Sequence, residues 1–190
     1  MYQAFSRIPG AMASMWDNKR HQRIDPTFVE HLQLAVTEVN GCAACSYAHA
    51  HLALQQGMSQ EEINGFLTGD AAFVPAAEAR AILFAQHFAE ARGRPSPVAY
   101  AAIVEEYGPH KAAIILAAVQ FMLVGNMYGL PFSALQSRFK GKSFADSSLW
   151  YECTMLLGGV LVLPVALVHG LLRHILGTTA RSPVGKSNRR

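Results

Sequence analysis

Apolar positions recur at helical spacing along most of the chain, and no stretch alternates apolar and polar as a half-buried strand would. Asp25 is placed to cap a helix with Pro26 in its first turn, and Phe28, Leu32 and Val36 repeat at four-residue intervals up to Asn40-Gly41. A second helix is predicted from Cys42 to Gln56, stopped by Gly57. Ser59-Gln60-Glu61-Glu62 reads as a capping box for a short third helix that Thr68-Gly69-Asp70 ends. A longer helix is predicted over Pro75 to Arg92, with Ile82, Leu83, Phe84 and Phe88 inside. Gly93 to Pro97 forms a linker, Ser96 caps the next helix, and Gly108-Pro109 turns the chain. The pattern predicts an all-α protein.

Two uncharged runs complicate this picture. Ala112 to Ser137 holds 26 residues without a charge, and Cys153 to Leu172 holds 20, counting His169 as neutral. Either is long enough to span a bilayer. Gln120, Asn126 and the alanine-rich start of the first suit the buried core helix of a bundle. The second is almost purely aliphatic, follows Trp150 and Tyr151, and precedes Arg173 and a basic end, as a membrane-contacting helix would. An apolar helix covered in a subunit interface has the same composition. Both readings stand for 153–172.

At 51% hydrophobic and 15% charged, the 190 residues are enough for one domain with a real core, and the chain is not disordered. The net charge of +3 comes from the end of the chain: residues 173–190 hold five Lys or Arg and no acid, which leaves the remainder at −2. That body is no nucleic-acid-binding surface. Three cysteines are too few for a secreted disulfide scaffold, and Met1 to Asp25 shows no continuous apolar core of a signal peptide. A reducing, cytoplasmic setting and catalytic use of a cysteine pair are the expectation.

That pair lies in Cys42-Ala43-Ala44-Cys45-Ser46-Tyr47-Ala48-His49, directly after Asn40-Gly41. Cys-x-x-Cys holds two thiols close enough to form a disulfide, and a helix start favours the thiolate. His49 lies four residues past Cys45, on the same helical face, where its imidazole can take or relay the thiol proton. Zinc bound by Cys42, Cys45, His49 and His51 is an alternative, but His49 and His51 point about 200° apart around a helix. Inert packing of two small apolar side chains is another. Tyr47 reads as packing or pocket lining, His51 has no sequence partner, and Cys153 reads as inert. A carboxylate would complete a proton relay, and Glu30 or Glu38 on the preceding helix could supply it. Spacing alone does not choose between them.

Glu30, Val39 to His49, Gly57-Met58-Ser59 and Glu62-Ile63 together resemble the alkylhydroperoxidase AhpD-like group of the carboxymuconolactone decarboxylase superfamily. The group's pattern is a glutamate twelve residues before the first cysteine of Cys-x-x-Cys-x-x-x-His, which Glu30 meets and Glu38 does not. The resemblance covers roughly residues 20–140. It implies an AhpD-like helical bundle that assembles into oligomers, with the 153–172 helix as an addition. Cys45 is implied as the thiolate that reduces a hydroperoxide, Cys42 as the resolving thiol, and His49 with Glu30 as the proton relay. An external dithiol closes the cycle, and no cofactor or metal is called for. Cys42, nearer the helix start, is expected to be the more exposed thiol. Ala44 stands between the cysteines where the best-studied members carry a histidine, which removes one proton donor. The decarboxylase branch lacks the cysteine pair, so lactone decarboxylation is not expected.

The resulting organisation is a lead segment at 1–24, a redox domain at 25–140, a loop and apolar helix at 141–176, and a basic tail at 177–190. A membrane-tethered redox sensor without turnover, and a metal-binding helical module, are the competing functional classes.

Overall fold

The computed structural model describes residues 1–144 and 147–177 of the chain, and the described residues form eight α-helices and one 3-10 turn without a strand. Most of the basic tail therefore lies outside the described residues. The helices are α1 (Tyr2–Phe5), α2 (Ile8–His21), α3 (Pro26–Asn40), α4 (Ala43–Gln55), α5 (Gln60–Thr68), α6 (Ala79–Glu90), α7 (Pro97–Phe139) and α8 (Leu149–Ile175).

Local chemistry sets most of these boundaries. The Asp25 carboxylate accepts the Thr27 N–H at 2.8 Å, and Gly41 ends α3 at a φ of +65°, a conformation that is inexpensive only for glycine. Ser59 and Glu62 form the expected capping box, with Glu62 accepting the Ser59 N–H at 2.7 Å. Gly108 breaks α7 at a φ of +75°, at the Gly108-Pro109 turn read from sequence.

Two sequence expectations need correction. The helix expected over 75–92 begins only at Ala79, after the 3-10 turn Ala71–Phe73, and Leu83 faces solvent rather than the core. Residues 1–24, read as a lead segment, fold into α1 and α2, and α2 packs on α7. Its polar sequence hides a narrow buried edge at Ile8, Ala11 and Asn18.

The second half of α7 is the axis of the bundle. Ile114, Ile115, Val119 and Met122 are buried, and α2, α3, α4 and α6 surround the helix. Its uncharged run is therefore largely core. Helix α8 then folds back along α7 and reaches α1 and α2. Glycines permit that approach: a Cβ at Gly159 would lie 2.5 Å from the Tyr128 hydroxyl, and Gly170 lies against the backbone of Ser6. Both α7 and α8 are long and apolar enough to cross a membrane, but 56% of the apolar window of α7 is buried against 17% of that of α8. Burial places α7 in the protein core. It leaves one long aliphatic face of α8 uncovered.

Candidate active site

The two cysteines open α4. Cys42 is its N-cap residue, and its Sγ accepts the Cys45 N–H at 3.3 Å. Cys42 and Cys45 are joined by a disulfide, with Cα atoms 5.3 Å apart, inside the range that a disulfide bridges without backbone movement. The expected order of exposure is reversed: Cys42 is 0% exposed and Cys45 8%. The cause is the turn that carries them, which tucks the N-cap residue beneath the helix start and against α7.

Helix α7 supplies the other wall. A Cβ at Gly129 would lie 2.5 Å from Cys45 Sγ and 2.7 Å from Cys42 Sγ, so the absent side chain makes room for the sulfurs. One turn further along the same face, Ser133 Oγ accepts the Ala44 N–H at 3.3 Å, which satisfies a free donor of the α4 start. Sequence reasoning missed Gly129 and Ser133. An isolated glycine inside an apolar helical run, where it costs about 1 kcal/mol without a packing reason, was the available signal.

His49 lies one turn beyond Cys45 on α4, and its Nδ1 is 2.8 Å from Glu30 Oε2, with both groups mostly buried. A carboxylate only accepts, so Nδ1 carries the proton and Nε2 remains as the basic nitrogen. Helices α3 and α4 are antiparallel neighbours, and that register selects Glu30. Glu38 is near the far end of α3, with its carboxylate beside Gly69. The structure joins Cys42 to Cys45 and His49 to Glu30, with α4 carrying His49 one turn past Cys45.

The remaining candidates fall elsewhere. His51 pairs with Gln55 on an exposed surface of α4. Tyr47, expected to pack or line a pocket, is 80% exposed. Cys153 is a free, half-buried thiol on α8. A second His–carboxylate pair was not foreseen: His31 Nδ1 lies 2.6 Å from Glu78 Oε2, and its ring stacks on Phe66. His31 lies beside Glu30 in α3, but it joins α3 to the start of α6 rather than to the cysteines.

Thr37, Asn40, Asn126 and Tyr128 each hold a buried side-chain polar atom with no partner among the described residues. Asn126, 1% exposed, has no partner for either amide atom among the described residues, and neither has the Thr37 hydroxyl. Asn126, Gly129 and Ser133 share about 60° of the circumference of α7. Thr37 lies two turns after Glu30 on the same face of α3, level with Cys42 in the antiparallel pair. Unpartnered buried polar groups cost about 1–3 kcal/mol each.

The site thus pairs a buried Cys42–Cys45 disulfide with a His49–Glu30 hydrogen bond to the adjoining helix. Residues 6–87 match the model of the carboxymuconolactone decarboxylase family. No curated protein and no solved structure matches the chain.

Proposed function

With residues 6–87 belonging to the carboxymuconolactone decarboxylase family, which includes AhpD-like proteins, we propose that this chain is a thiol-dependent hydroperoxide reductase or disulfide oxidoreductase of AhpD-like type. The observation that carries the reading is the joint placement of the Cys42–Cys45 disulfide and the His49–Glu30 pair on adjacent helices.

In the reduced protein, His49 Nε2 takes the Cys45 proton, and Glu30 stabilises the resulting imidazolium through Nδ1–H. The Cys45 thiolate attacks the terminal oxygen of a hydroperoxide. An S–O bond forms, the O–O bond breaks, and the departing alkoxide takes the proton back from His49 to leave as an alcohol. The Cys42 thiol then displaces water from the Cys45 sulfenic acid and forms the disulfide.

An external dithiol restores both thiols. The less buried Cys45 sulfur is the one open to its attack, which makes Cys42 the leaving thiolate. The Cys45 N–H at the helix start stabilises that leaving group. Peroxide and reductant thus meet the same sulfur, a simpler scheme than one with a separate exposed thiol. We extend the proposal to a homo-oligomer, as AhpD-like proteins form, and to membrane association through α8.

The test is hydroperoxide consumption with a dithiol reductant. Wild type should turn over and Cys45→Ser should not; equal rates would remove the reading. A tethered redox sensor is the second reading, favoured by the uncovered face of α8. In the same assay a sensor would oxidise once per chain without turnover.

A further inference from the structure

A small cleft opens on the side of α7 opposite Gly129, between α1, the turn after α6, and α7. Its rim carries Arg7, Arg92 and Arg94, its floor is Phe88, Leu123 and Met127, and no acid lines it among the described residues. Arg7 is tied in place by donating to the Gly93 carbonyl at 2.7 Å. Arg92 and Arg94 are exposed and have no ion-pair partner among the described residues. Like charges so close repel one another, and burial, then Arg173, then Arg94 hold the Arg7 guanidinium below its ordinary value. Arg7, Arg92 and Arg94, with no acid in the described lining of the cleft, form a site suited to an anion.

The backbone points the same way. Arg92 is held at a φ of +51°, in the left-handed region that side chains avoid, and Gly93 follows at +77°. The chain bears this strain in the turn that presents both arginines to the cleft, and such strain concentrates at ligand clamps.

Arg173 connects this cluster to α8. It is the first charged residue after the uncharged run and flanks the helix's uncovered face. That face consists of Leu157, Val160, Leu161, Val165, Val168 and Leu171, continued to Leu176, all exposed. These residues span about 160° of the helix circumference. Trp150, 81% exposed, stands at the opposite end. An exposed aliphatic stripe that carries Trp150 and is flanked by a cation matches a helix lying in a bilayer surface: acyl chains along the stripe, phosphates at the arginines.

We propose that the Arg7, Arg92 and Arg94 cleft binds a phosphate group, that of an anionic phospholipid whose acyl chains meet the outer face of α8. The site lies across α7 from the disulfide and stands independently of the redox reading. The chain rests on the lipid surface with α8 in its plane, since α1, α2 and α7 cover the other side of that helix.

The experiment is flotation of the full chain with phosphatidylcholine vesicles, with and without phosphatidylglycerol, for wild type and Arg92→Gly/Arg94→Ser. Melting temperature is read in parallel, with and without inorganic phosphate. Wild type should float only with the anionic vesicles, and the double variant should bind about thirtyfold more weakly. Its melting temperature should not fall, because glycine adopts the Arg92 backbone without strain. If the double variant melts lower, Arg94→Ser alone supplies the comparison. Flotation that ignores the substitutions would overturn the cleft as the site. A phosphate-induced rise in melting temperature without vesicle binding would overturn the lipid assignment. No response to either probe would overturn the whole proposal.

Discussion

A side chain at Gly129 would overlap the sulfur of Cys45, with a Cβ only 2.5 Å from Sγ. The closest approach of α7 to the redox pair therefore depends on one missing methyl group. Gly129→Ala should leave the helices formed, since alanine favours a helix by about 1 kcal/mol over glycine. It should block disulfide closure, because both sulfurs occupy the space required. The expected result is two titratable thiols remaining after peroxide treatment and a turnover loss of at least about tenfold.

Glu30→Gln tests the relay. The amide still occupies the space beside His49 Nδ1, but the negative charge that supports an imidazolium is gone. Peroxidase turnover at neutral pH should fall by about a hundredfold. Glu38→Gln, at the far end of the same helix, should turn over as wild type does. Equal losses in the two variants would show that the pair contributes only packing.

The reversed burial of the cysteines makes a trapping prediction. If the external thiol attacks Cys45, Cys42→Ser should accumulate a stable mixed disulfide with that thiol. Cys45→Ser, which leaves only the 0% exposed Cys42, should accumulate little. Intact mass after exposure to the disulfide of a small monothiol reads both, and the opposite ranking would return the exchange role to Cys42.

Glu152 links α8 to α7 and gives a pH dependence of stability. It is buried, and Arg138 holds it through two contacts at 2.8 and 3.0 Å, while Ser147 donates to it at 2.8 Å. The Arg138 hydrogen bond, above all, keeps its carboxyl below the ordinary glutamate value, against the effect of burial. A depressed folded value means that the unfolded chain binds the proton more tightly. The stabilisation is thus complete above about pH 4.3 and is lost as pH falls through the folded value. Melting temperature should decline along this acid limb, and Glu152→Gln should flatten the decline while lowering stability at neutral pH.

The helical class, the ends of α3, α4 and α5, and the break at Gly108 were legible because local residues dictate them. Asp25-Pro26, the Ser59–Glu62 box and the glycines act within one turn of where they stand. Glu30, Cys42, Cys45 and His49 were legible as a spaced pattern. The choice of Glu30 over Glu38 rested on resemblance, and the register of α3 against α4 gives it a physical basis. What the sequence hid depends on distant packing. Gly129 and Ser133 reach the cysteines only because α7 passes beside the start of α4. The cysteine exposures reversed because α7 covers Cys42, and α2 was missed because only a narrow edge of it is buried. The fate of the two uncharged runs was also a packing matter, since α7 packs against six other helices and α8 is covered on one side.

On the proposed function, Cys42 and Cys45 cycle between dithiol and disulfide at the expense of a hydroperoxide. The most direct measurement is the intact mass of the reduced chain after one equivalent of hydroperoxide, followed by a dithiol. The expected result is a loss of two hydrogens, mapped by digestion to the peptide carrying both cysteines and fully reversed by the dithiol. An unchanged mass, or oxygen added at Cys45 without disulfide formation, would contradict it.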